Sequence, residues 1–185
     1  MRHDHTPSVD STPLALLGLD TFETGLLAVM RHFLTAFTRP ETQGWQTAFG
    51  LASERWGEAT GPQIAAGGLG LLQTLRRARR REFMYANPLC PGCRAQVTGD
   101  EAHLMRMIQA MRRDRTDLAR SEVLALTGGT MDPALIRAGL AFAARHPAKE
   151  AAAGPLTLDR QQGTARSITH ATPPPRQGGH LRLVH

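Results

Sequence analysis

Cysteine is scarce here, with two residues among 185 set three positions apart. That excludes the disulfide framework of a small secreted scaffold and makes a reducing cytoplasm the natural compartment. Aromatic residues make up 5% of the chain, with one tyrosine and two tryptophans, so the stacking platforms used to bind single-stranded nucleic acid are short of material. No apolar stretch approaches the roughly 20 residues that cross a bilayer. The longest, Ile64 to Leu72, falls short of half that and is broken by glycines. The first residues lack a basic start followed by an apolar run, so an unexported protein is expected. Familiar catalytic signatures are missing too: there is no His-Glu-x-x-His helix and no Gly-x-Ser-x-Gly elbow. Gly67, Gly68 and Gly70 are not followed by the Lys-Ser/Thr of a phosphate loop, and close helix packing explains them better. An enzyme is disfavoured on these grounds.

What is present is helical period. Phe22, Leu26, Val29, Met30, Phe33, Leu34 and Phe37 recur at steps of three and four, behind an Asp20/Glu23 capping box. Trp45, Ala48, Phe49, Ala52 and Trp56 repeat that spacing up to Gly57, which closes a second helix. Thr60, Pro62 and Gln63 open a third, whose apolar positions reach Phe83 and which should run to Asn87-Pro88. Thr98 and Glu101 form another capping box ahead of Leu104, Met105, Ile108 and Met111. A short fifth helix ends at Gly128-Gly129, and Asp132-Pro133 caps a sixth carrying Leu135, Ile136 and Leu140. No segment alternates with β-branched enrichment. The expected fold is all-α, a single bundle of about six helices over residues 20–147, long enough to bury one core.

The flanks differ in composition. Residues 1–19 are polar and proline-interrupted, and residues 148–185 carry three successive prolines and many glycines, so a flexible amino-terminal segment and a disordered tail are expected. His3, His5, His170, His180 and His185 lie in these flanks, where a preorganised site is not maintained.

Two features bear on chemistry. Cys90 and Cys93 sit in Pro88-Leu89-Cys90-Pro91-Gly92-Cys93, a turn that directs two sulfurs toward one point. This is half of a zinc site. His103 is the best third ligand, with the fourth left open among His32, His146, Asp100, Glu101, water or a second copy of the chain. The same pair can cycle between dithiol and disulfide, or simply pack.

The second feature is a run of arginines. Basic residues exceed acidic ones by six, and 21 of the 22 are arginine, a skew that GC-rich coding alone produces. The local concentration is more telling: Arg76, Arg77, Arg80 and Arg81 pair up at helical spacing and suit an acidic protein or the phosphates of a nucleic acid. Cations near a helix C-terminus are also favourable without any partner. Arg112, Arg113 and Arg115 form a second basic cluster. The leading expectation is a non-enzymatic cytoplasmic interaction or regulatory protein with zinc at Cys90, Cys93 and His103. A thiol-disulfide redox protein and a nucleic-acid-binding regulator are the alternatives.

Overall fold

Carboxylates decide where the two central helices begin. The computed structural model describes residues 11–148. Within them run α1 (Thr21–Thr38), α2 (Gly44–Trp56), α3 (Gly61–Ala78), the single turn α4 (Pro91–Arg94), α5 (Gly99–Arg112), α6 (Thr116–Thr127) and α7 (Pro133–Arg145). Asp20 accepts the Glu23 amide at 2.7 Å and the Glu23 carboxylate accepts the Asp20 amide at 2.9 Å, closing the capping box expected at α1. Thr98 and Glu101 do the same at α5, and Asp132 accepts the Leu135 amide at α7. The fold is all-α, and each of the six long helices falls within a segment whose periodicity predicted one, though the third is shorter than expected.

The core follows from those periods. α1 packs on α2, α3 and α5, while α5 also packs on α6 and α7. Leu26, Met30 and Phe33 of α1 are buried with Leu71, Leu72 and Leu75 of α3 and with Leu104, Met105 and Ile108 of α5. Burying a side chain of this size is worth about 1.5 to 3 kcal/mol. The glycines of α3 serve close approach: a methyl on Gly68 would sit 3.3 Å from Leu26 of α1, and one on Gly67 would sit 3.0 Å from Phe142 of α7.

Four expectations need correction. The third helix stops at Ala78 and does not reach Asn87. Its end is set by Arg79, whose backbone turns extended and whose buried guanidinium donates to the Leu126 carbonyl, the Glu82 carbonyl and the Asp100 carboxylate. Those bonds fix the chain in a path no helix follows. Thr60 caps α3 without a side-chain bond, so the Gln63 box does not form there. Trp45, assigned to the core by spacing, is 51% exposed. Finally, residues 11–19 are held and not loose. Thr12–Pro13 (β1) pairs antiparallel with Gln96–Val97 (β2), the Leu14 amide donates to the Ala95 carbonyl, and Leu17 is buried. Residues 1–10 and 149–185, which include nearly all of the expected carboxy-terminal tail, lie outside the described residues.

Besides the buried Arg79–Asp100 pair, two ionic centres tie α1 to α5 among the described residues. In the first, Arg31 of α1 faces Glu101 of α5 through two bonds, 2.7 Å from Nε and 2.9 Å from Nη2, with both side chains essentially inaccessible. In the second, Arg112 and Arg113 of α5 meet Glu23 and Asp20 of α1, and Arg112 also donates to the His146 carbonyl. Burial would raise the Asp20 pKa, but the Glu23 amide and the bond and charge of Arg112, with Arg113, outweigh it and hold the carboxyl below its usual value.

Removing one partner of an enclosed pair strands the other charge, so Arg31→Ala should lose about 3 to 5 kcal/mol of stability by urea denaturation. A loss under about 1 kcal/mol would place the pair among surface bridges in energetic terms. Burial lowers the pKa of His32, and burial with the neighbouring charges of Arg145 and Arg112 lowers that of His146, from an ordinary 6.5. The unfolded chain therefore binds these protons more readily, and the stability they contribute is intact above about pH 6.5 and drains away as the pH falls below it. Urea midpoints across that range should drop on acidification, with a shallower slope in His32→Gln and His146→Gln.

Candidate functional site

Between α3 and α5 the chain runs for twenty residues with little regular structure, yet its backbone groups are taken up one by one. The Met84 amide donates to Asp100 at 2.8 Å, the Ala86 amide to Glu101 at 3.1 Å, and the Thr98 hydroxyl to the Met84 carbonyl at 2.7 Å. Arg31 reaches across from α1 and donates to the carbonyls of Arg94 and Gln96, at 3.1 and 2.6 Å. Pro88 is buried and Leu89 is 72% exposed. The segment carrying the cysteines is thus fixed at both ends by side chains from α1 and α5.

Asn87 starts the turn, its side chain accepting the Leu89 amide and its carbonyl the Cys90 amide. Cys90 is the N-cap of α4, and its sulfur accepts the Cys93 amide at 3.3 Å. Pro91 supplies the fixed φ that suits a first helical position, where no amide is needed. The Cys93 thiol donates to the Cys90 sulfur at 2.7 Å, and both residues are half-exposed thiols with no bond between them.

The pair is asymmetric. The bond from the Cys93 thiol, then the amides of Cys93 and Gly92 and the charge of Arg94, draw the Cys90 thiol below its ordinary pKa against a smaller penalty from desolvation. Cys93 is pushed up, because it donates to Cys90 and the two charges would repel. Of the two, Cys90 gives up its proton more readily and Cys93 holds its proton longer.

The metal-ligating set expected from the sequence is only partly assembled. Cys90 and Cys93 come together, whereas the Nδ1 atom of His103 lies 2.6 Å from Glu122 of α6. Among the described residues no three His, Cys, Asp or Glu side chains gather into a metal-binding group. Asp100 and Glu101, the nearby carboxylates, are engaged by Arg79 and Arg31. His146 lies against Phe142 and Phe22 at the far side of α1 and α7.

The arginines divide. Arg76 and Arg77 end α3 and are exposed, but Arg80 and Arg81 lie beyond the helix, so the four do not make two helical pairs. Arg81 approaches Asp100 at 3.4 Å. Arg112 and Arg113 are drawn onto Glu23 and Asp20, so of the second basic cluster Arg115 is the fully exposed member. Sequence reasoning missed Arg31, Arg79 and Asp100 as the residues that position the turn. Only Glu101, through its capping box, left a sequence signal. No known family, curated protein or solved structure matches the chain.

The asymmetry sets an outcome for alkylation. Cys90 should react with iodoacetamide faster than Cys93 at neutral pH, and its rate should titrate below the ordinary cysteine value. In Cys93→Ala the largest cause of that depression is gone, so the inflection for Cys90 should move up. Equal rates for both thiols, read by mass spectrometry of the labelled peptides, would rule the asymmetry out.

Proposed function

We propose that Cys90 and Cys93 are a redox couple, cycling between dithiol and disulfide on a helical scaffold that acts through interaction with a disulfide-bearing partner. The observation that carries this reading is the direct contact of the two sulfurs, with both the thiol and the amide of Cys93 turned onto the Cys90 sulfur. Supporting it, both cysteines are only half-buried, and the exposed Leu89, Pro91 and Gly92 beside Cys90 leave a partner room to approach.

The chemistry balances without any further group. The Cys90 thiolate attacks a disulfide of the partner, forming a mixed disulfide and releasing one partner thiolate. Cys93 gives up its proton to solvent and attacks Cys90, and the second partner sulfur leaves with its electron pair. The products are the Cys90–Cys93 disulfide and a partner dithiol. Two electrons have passed to the partner, and the reverse sequence oxidises it.

Equilibration of the full chain in glutathione buffers of graded potential, followed by acid quench and mass measurement, tests the proposal. A reversible loss of two hydrogens confined to the Cys90–Cys93 peptide is expected, together with a stable mixed disulfide in Cys93→Ser. Failure to form that disulfide at any potential would refute it. So would stoichiometric zinc in the reduced protein that is lost in Cys90→Ser, and that result would restore the metal reading with Cys90 and Cys93 as ligands.

A further inference from the structure

Away from the thiols, the C-terminal turns of α1 and α3 diverge and the extended chain after Arg79 crosses the gap, leaving a cleft of about 240 Å³. Its floor is apolar and buried: Leu34 from α1, with Leu72 and Leu75 from α3. Phe37 and Phe83 line it further, and Tyr85 is fastened to Thr38 by a 2.7 Å bond between hydroxyls. The rim carries charge. Arg76 lies with its guanidinium 4.3 Å from the centre of the Phe37 ring, exposed and without a carboxylate partner among the described residues. Arg79 is neutralised by Asp100, which Arg81 also approaches, and Glu82 is the one acidic residue lining the cleft.

We propose that this cleft binds a small organic acid, a monocarboxylate with an apolar body, its tail on the leucine floor and its carboxylate on Arg76. Three observations converge. The volume sits just below the range for drug-sized ligands and suits roughly ten non-hydrogen atoms. The floor that an apolar body would cover is made of leucine and phenylalanine, and the Thr38 and Tyr85 hydroxyls beside it are bonded to each other. Among the described cations lining the cleft, Arg76 is the one with no ion pair, and its stack on Phe37 positions its donors before the ligand arrives; a guanidinium matches a carboxylate through two parallel bonds. A cationic ligand would meet Arg76 and Arg81 against the single carboxylate of Glu82, and a neutral one would leave the Arg76 donors to water.

Octanoate, octan-1-ol and octylamine share a chain and differ in the head group, so titrating each into the full-length protein by calorimetry isolates the charge. Octanoate should bind saturably with one site and a dissociation constant near or below about 1 mM. Octan-1-ol and octylamine should bind at least about tenfold more weakly. Arg76→Gln, an exposed change that leaves the core intact, should weaken octanoate by a similar factor. Phe83→Ala should weaken octanoate and octan-1-ol alike, while Arg106→Gln, exposed on α5, should change nothing. The proposal is overturned by unsaturable octanoate binding, by equal affinity for octanoate and octylamine, or by an Arg76→Gln variant that binds octanoate as the parent does.

Discussion

The buried pairing of Arg31 with Glu101 is the constraint on which the rest of the molecule turns. A salt bridge removed from water gains little net stability by itself, since desolvation of both ions offsets their attraction. Its importance here lies in what else the two side chains hold. Glu101 accepts the amides of Ala86 and Thr98 while Arg31 donates to the carbonyls of Arg94 and Gln96. The segment between α3 and α5 is too irregular to satisfy its own backbone, and buried backbone groups left without partners are costly. A hydrophobic pair of equal volume would fill the space but leave those groups stranded. The ion pair is retained because it doubles as the backbone partner of a non-helical stretch.

The same logic explains why the chain's positive charge is a poor guide to its surface. Arg31, Arg79 and Arg112 are all buried, and Arg113 is drawn onto Glu23 and Asp20. Each uses a planar fork of donors that lysine does not have. Arg79 is the clearest instance. It sits inside the densest arginine run of the sequence, yet it reaches Leu126, Glu82 and Asp100 in the interior. Arginine usage that reads as GC-rich coding, or as a nucleic-acid face, is therefore partly internal wiring, and within that run Arg76, Arg77, Arg80 and Arg81 are the exposed members.

How far the sequence could be read follows from the range of the forces involved. Capping boxes at Asp20/Glu23 and Thr98/Glu101 are local, written within four residues, and both were legible. So was the core face of α5, because periodicity and burial coincide there. The end of α3 was not, because it is fixed by Asp100 and Leu126, 21 and 47 residues from Arg79 along the chain. Phe83 continues the apolar period and so extends the pattern past the true end of the helix. The amino-terminal strand was hidden for the same reason: two residues of Thr-Pro carry no period, and their order comes from pairing with Gln96–Val97. At the candidate site the cysteines were visible as a motif, whereas the side chains that hold their turn in place were scattered over three helices' worth of sequence.

That division bears on how a four-residue turn can carry chemistry at all. An isolated helical turn is unstable in water, because nucleation fixes several dihedrals for one hydrogen bond. α4 persists because its neighbours are pinned: Arg94 through its carbonyl to Arg31, Gln96–Val97 to β1, and Pro88 by burial. A dithiol that closes to a disulfide needs its sulfurs to approach by only a fraction of an ångström when the backbone is already set, so little ordering entropy remains to be lost at that step. The pinning also limits relaxation, and the Cys93 amide that bonds the Cys90 sulfur in the thiol form must tolerate a weaker acceptor once that sulfur is shared in a disulfide. In the proposed redox cycle, the rigidity that brings the two sulfurs together would also raise the cost of the oxidised turn, and Arg31 and Glu101, outside the cysteine motif, hold the backbone on either side of it.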